Sequence, residues 1–222
     1  MLAELKKLSG DSAVYAIGNI LTKGLGLLLL PIYTRVLSPA DYGVLGITTM
    51  INSLAAPILS WALLTAVMRF YVEYGDKEEE RKRFLGTLVV YQVVVSGLLV
   101  VGFWMIGRNL PVSLFRQVPF EPHIVLALWI AYFGSLIATV PYGVFLVRRQ
   151  ALLYVSLNLA HFFLNVGFTI GAVVWLRLGV LGALQARFVA SLIMAMVFNL
   201  CIIKEVHLTF SYTQLKAALA LC

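Results

Sequence analysis

Acidic side chains are scarce in this chain, and none of its ten aspartates and glutamates falls inside a long apolar run. The sequence shows no paired carboxylates, no Asp-x-Asp-like metal pair and no large outer loop, so catalysis is not expected of it. Proton or sodium coupling through an intramembrane acid has no candidate here either. Cysteine is nearly missing. Cys201, near the end of an apolar run, and Cys222 imply no disulfide framework. No low-complexity linker or soluble domain interrupts the apolar runs, and no cofactor or metal is expected. A cleavable signal peptide is also not apparent, because the first apolar run is too long and lacks a small-residue cleavage site near its end.

What the chain does have is hydrocarbon. Hydrophobic residues make up 61% of it and charged residues 12%, with a mean hydropathy of +0.94, beyond what a soluble domain carries. Six stretches are each long enough to cross a bilayer as a helix: Ala13 to Thr34, Tyr42 to Met68, Phe84 to Ile106, Ile124 to Val147, Leu152 to Leu176 and Leu178 to Ile203. The expected fold is therefore all-α, a polytopic membrane protein with a six-helix transmembrane bundle. Residues 1–11 read as a cytoplasmic amphipathic lead-in, 12–203 as the bundle, and 204–222 as a connector followed by the start of a seventh span. Because that last apolar pattern stops after about two turns, the chain is expected to be the N-terminal half of a longer transporter.

When six spans are laid alternately across the membrane, the basic residues sort to one side. Lys6, Lys7, Arg69, the Lys77 to Arg83 cluster, Arg148, Arg149, Lys204 and Lys216 share that side, against Arg35, Arg108, Arg116 and Arg177 on the other. The positive-inside rule makes the richer side cytoplasmic, with the N-terminus there, in a cell (inner or plasma) membrane. The net charge of +7 follows from this topology. The basic residues are dispersed over short loops instead of forming one face, so no nucleic-acid partner is expected. The run Lys77 to Arg83 reads as a solvated helical turn with i to i+4 pairs, and binding of anionic lipid headgroups is the alternative.

Polar residues inside the apolar runs fall at helical spacing. Tyr15, Asn19, Lys23 and Gly26 line one stripe of the first span, and Tyr154, Asn158, His161, Asn165 and Thr169 line one of the fifth. Weaker stripes run through Thr48, Asn52, Ala56 and Ser60 in the second span, through Tyr132, Ser135, Thr139 and Tyr142 in the fourth, and through Arg187 with Ser191 in the sixth. Lys23 lies about 15 Å from either interface, beyond lysine's snorkelling reach, and so reads as facing a cavity. Arg187, two or three turns from the outer end of its span, either snorkels or faces the same cavity. For His161, as for each Ser, Thr and Asn, the alternative to a cavity role is interhelical hydrogen bonding. Pro31, Pro57 and Pro141 fall within or near the ends of spans and are expected to bend them.

The segment Tyr15 to Gly46, with Pro31-Ile-Tyr-Thr-Arg35-Val-Leu-Ser-Pro39-Ala-Asp-Tyr42-Gly43, and then Arg69-Phe-Tyr-Val-Glu-Tyr with the charged turn after it, resembles the polysaccharide biosynthesis family of lipid-linked oligosaccharide (O-antigen type) flippases. These share a superfamily with multidrug and toxic-compound extrusion proteins. The resemblance implies a transporter of about twelve to fourteen spans, built from two bundles around a central cavity, of which this chain supplies the first. It implies an undecaprenyl-diphosphate-linked oligosaccharide as substrate, moved from the cytoplasmic to the outer leaflet by alternating access. Other membrane proteins of polysaccharide assembly are candidate partners, beside the bilayer itself. By that reading Lys23 and Arg187 face the diphosphate, while Tyr15, Asn19, Asn158, His161 and Asn165 serve the sugars. A cation-coupled multidrug exporter is the first alternative, and a membrane glycan polymerase or glycosyltransferase the second.

Overall fold

The computed structural model describes Gly18, Ile20 and residues 34–60, 63–75, 77–108, 120–207 and 211–219. Tyr15, Asn19, Lys23, Gly26 and Pro31 lie outside the described residues, and so do the reading of 1–11 and of the chain's last residues. Eight α-helices are described: α1 (Pro39–Ser60), α2 (Leu63–Tyr74), α3 (Glu78–Arg108), α4 (Val125–Ala138), α5 (Val140–Val147), α6 (Ala151–Ile170), α7 (Gly179–Cys201) and α8 (Tyr212–Leu219). They form five segments long and apolar enough to cross a membrane, Pro39–Tyr74, Glu78–Gly107, Pro122–Val147, Ala151–Trp175 and Gly179–Cys201. These coincide with the second to sixth spans expected from the sequence. Large apolar side chains along them, among them Met50, Leu54, Leu98, Leu152 and Met196, are exposed, as a lipid-facing surface requires and a soluble one does not tolerate in such number.

Local chemistry sets the ends of the helices. Ser38 opens α1 with a capping box: its Oγ accepts the amide N–H of Asp41 at 3.2 Å, and the Asp41 carboxylate accepts the Ser38 N–H at 3.0 Å. Pro39 then occupies the first helical position, where its missing N–H costs nothing. Gly75, at φ +46, ends α2 with a bond from its N–H to Val72 O at 3.1 Å, a left-handed closure natural to glycine. In the fourth span, Pro141 stands just inside α5, and the backbone at Thr139 (φ −105, ψ −94) separates α4 from α5, the bend expected of a proline within a span. Pro57 also lies inside a helix, α1.

The fourth span is the centre of the bundle. It packs against the second, third and sixth spans, and 56% of its apolar window is buried, against 11% for the fifth span, which leans mainly on the sixth. Three apolar clusters divide the interior. The largest gathers Val67, Phe70, Phe84, Leu88, Val140, Phe145 and Phe198 toward the end that carries the Gly75 turn. The other two lie toward the opposite end, one around Leu59, Val100, Leu128 and Tyr132, the other around Leu37, Leu45, Val173 and Ala183. Close helix contact is visible at Gly143, where a Cβ would stand 2.6 Å from the Val67 side chain. Gly18 is buried against the fifth span, a Cβ there meeting Val155 at 2.6 Å.

Candidate functional site

Among the described residues, Arg81, Lys82 and Arg148 of the sorted basic set meet at one end. α3 is 31 residues long, about 46 Å at 1.5 Å per residue, so its first turns project past a hydrocarbon layer of about 30 Å. There Glu205, after the sixth span, accepts a hydrogen bond from Arg148 of the turn between the fourth and fifth spans and lies 3.9 Å from Arg81 of α3. Arg81 in turn donates to Gly75 O at 2.9 Å and rests 4.8 Å from the centre of the Tyr71 ring. His207 N–H bonds Lys82 O at 3.0 Å, and Ser211 N–H bonds Thr87 Oγ1 at 3.2 Å. Three connections are thus tied into one knot. Lys82 pairs with Glu78 at 2.6 Å, the i to i+4 pairing read from the Lys77 to Arg83 run, and Lys77 with Glu80 at 3.7 Å adds an i to i+3 pair.

Deeper in, a cavity of about 170 Å³ opens between the second, fourth, fifth and sixth spans. Its polar lining is Thr48, Thr49 and Asn52 from α1, Asn165 from α6 and Arg187 from α7, and its apolar walls are Ala127, Ile130 and Leu184. It sits beside both smaller apolar clusters, Thr48 following Leu45 and Ala127 adjoining Leu128. Thr48 lies nine residues into α1 and Arg187 eight into α7, about 12 to 14 Å below the helix starts. The site is therefore within the membrane, a short way toward the end opposite the basic knot.

The hydrogen bonds around this cavity are unequal. Thr49 Oγ1 donates to Leu45 O at 2.7 Å and Thr48 Oγ1 to Val44 O at 3.0 Å. Thr169, fully buried, donates to Asn165 Oδ1 at 3.2 Å. Asn52 Nδ2 reaches Ala127 O only at 3.5 Å, the weak limit of such a bond.

Of the residues singled out from the sequence, the structure brings Asn165 and Arg187 into this cavity, together with Thr48 and Asn52 of the weaker second-span stripe. The rest of the fifth-span stripe lies elsewhere. Tyr154 meets Tyr142 in a tilted ring contact and Phe198 edge-on, Asn158 bonds its own helix at Tyr154 O, and His161 Nε2 is buried with no hydrogen-bond partner among the described residues. None of the three lines the cavity. Nor does the fourth-span stripe. Ser135 accepts a bond from Gln92 Nε2 at 3.1 Å, Gln92 also donates to Leu59 O at 2.9 Å, and Ser96 Oγ donates to the same carbonyl at 2.7 Å. That fully buried cluster, built on Gln92 and Ser96 of the third span, escaped the reading of the sequence. A glutamine and a serine at i and i+4 in an otherwise apolar run were its signal.

The fold and its lipid-facing surface define a multi-pass, all-helical membrane protein. The model of the family described as "Polysaccharide biosynthesis protein" matches residues 9–221, and the chain belongs to that family. No curated protein sequence matches it. Among solved structures it is similar to the crystal structure of the Vibrio cholerae MATE transporter VcmN in the bent form, at 18% identity and a TM-score of 0.74. The match covers 97% of this chain and 51% of that one, so the chain spans about half the transporter's length.

Proposed function

We propose that these spans form one bundle of a flippase that carries a lipid-linked, diphosphate-bearing oligosaccharide from the cytoplasmic to the outer leaflet for surface polysaccharide biosynthesis. The observation that carries this reading is the position of Arg187: a guanidinium at membrane depth, lining a polar cavity that four spans build together. A charge there costs about 2.5 to 3.5 kcal/mol on insertion scales, a cost that a polar cavity and an anionic ligand offset. Membership of a polysaccharide biosynthesis family supplies the class of cargo. Lys23 is the second proposed cation, placed by the sequence near the middle of the first span; Asn19 and Tyr15 share its stripe, and Asn158 and His161 extend the polar face of the fifth. The basic knot marks the cytoplasmic side by the positive-inside rule, and rocking of two bundles supplies alternating access.

The test is delivery of glycan to the outer leaflet by the gene-encoded protein, with membrane levels of each variant checked. Arg187→Gln and Lys23→Gln are each expected to reduce delivery about tenfold or more, the value of a hydrogen bond to a charged group. Unchanged delivery in both overturns the proposal. Export of a lipophilic cation in place of glycan would move the protein to the multidrug reading, which the fold accommodates and for which the apolar runs offer no coupling acid.

A further inference from the structure

Donors and acceptors around the 170 Å³ cavity can be assigned one by one. Arg187 has donors only, whatever else it touches. Asn165 spends its Oδ1 on Thr169, which leaves its amide hydrogens. Thr48 and Thr49 each carry one hydroxyl hydrogen, and both aim it at carbonyls of their own helix, so each turns oxygen lone pairs to its surroundings. Asn52 points one Nδ2 hydrogen toward Ala127 O, leaving the other hydrogen and the acceptor Oδ1. Among the described residues, donors thus come mainly from the fifth and sixth spans and acceptors mainly from the second.

We infer that this cavity is a hydroxyl-reading subsite that seats one sugar ring of the cargo, with Thr48, Thr49 and Asn52 as the specificity-determining residues. This rests on the transport reading above and deepens it. A bare diphosphate satisfies Arg187 and Asn165 but sets its negative oxygens against three acceptors. A lipophilic cation gives those acceptors little and is repelled by the guanidinium. A polyol both donates and accepts, and meets the two sides at once. The volume agrees: it is smaller than the roughly 300 to 1,000 Å³ of sites that enclose a whole drug-sized ligand, so it takes one polar unit of a larger molecule. The diphosphate then lies outside it.

The experiment uses the gene-encoded protein in lipid nanodiscs, probed by saturation-transfer NMR with a panel of methyl glycosides, their monofluoro-deoxy analogues and inorganic pyrophosphate at tens of millimolar. At least one glycoside is expected to bind. Replacing one of its hydroxyls by fluorine, which cannot donate, should weaken binding about tenfold. Thr49→Val and Asn52→Leu should each weaken the parent glycoside by a similar factor, and the variant that removes the acceptor of that hydroxyl should be indifferent to the fluorine, whereas Thr49→Ser and the exposed control Ser156→Ala retain binding. If Thr49→Val does not fold, Asn52→Leu carries the same test. Binding of pyrophosphate alone, equal binding of glycosides by wild type and both variants, or no glycoside signal at all overturns the inference. Loss of glycan delivery in Arg187→Gln with full delivery in Thr49→Val and Asn52→Leu removes the subsite and leaves the transport reading standing. Glycoside binding that depends on Asn52 and Thr49 but without any glycan delivery does the reverse.

Discussion

The fourth and fifth spans have similar hydropathy, 2.0 and 1.6, and similar length, yet 56% of one window is buried and 11% of the other. Both carry a polar stripe. In the fourth it is consumed within the bundle, Ser135 by Gln92 and Thr139 by its own Ser135 carbonyl. In the fifth, Thr169 bonds Asn165 beside the cavity and Tyr154 meets Tyr142 and Phe198, while Phe163, Phe168 and Trp175 stand exposed. Lipid is as apolar as leucine, so hydropathy sets which segments enter the membrane and not which becomes the axis; that is decided by small residues and hydrogen bonds.

The sharpest way to break the comparison is a matched glycine pair. Gly143→Ala drives a methyl into the buried Val67 side chain and is expected to cost about 1 to 3 kcal/mol in thermal or denaturant unfolding in detergent. Gly167→Ala in the fifth span has open space within 4 Å and should be neutral or stabilise by about 0.5 to 1 kcal/mol. Equal losses would mean the fifth span is as tightly enclosed as the fourth.

A smaller effect comes from the cluster that holds the fourth span to its neighbours. Gln92→Leu removes donors to Leu59 O, Ser96 and Ser135 and should cost about 1 to 2 kcal/mol, near the upper range for interhelical hydrogen bonds in membranes. Asn158→Leu, whose amide bonds Tyr154 O of its own helix among the described residues, should change unfolding by less than about 0.5 kcal/mol. A change smaller than that of Gln92→Leu is also expected where the two spans join. Glu205→Gln weakens its ties to Arg148 and Arg81, and with Arg148 39% exposed the loss should stay below about 1 kcal/mol and shrink in high salt. An Arg148→Glu, Glu205→Arg double variant should recover part of it.

The positions of the second to sixth spans were legible in the sequence because a bilayer imposes one rule, a long apolar run, that no local interaction overrides. Helical period placed Asn165 on the fifth-span stripe and Thr48 with Asn52 on that of the second, and the structure adds that they meet Arg187 at one cavity. What the period does not report is what stands opposite a stripe: Ser135 and Thr139 share a face as regular as that of Asn165, yet theirs meets Gln92 of the third span instead of a cavity. Thr49 was overlooked because it sits beside the second-span stripe and not on it, close enough to reach a cavity formed where four helices diverge. The donor and acceptor assignment lay beyond sequence altogether, since it depends on which carbonyl each hydroxyl chooses.

Glu205 follows Arg81 and Arg148 by more than fifty residues, and this order has a consequence for biogenesis. As the chain leaves the ribosome, Arg81 and Arg148 emerge at separate corners on one end of the bundle. Their common counter-charge emerges only after the sixth span, so the knot cannot close around an incomplete set of helices. Its closing is a record, written in ion pairs, that the preceding spans have been threaded in the right sense.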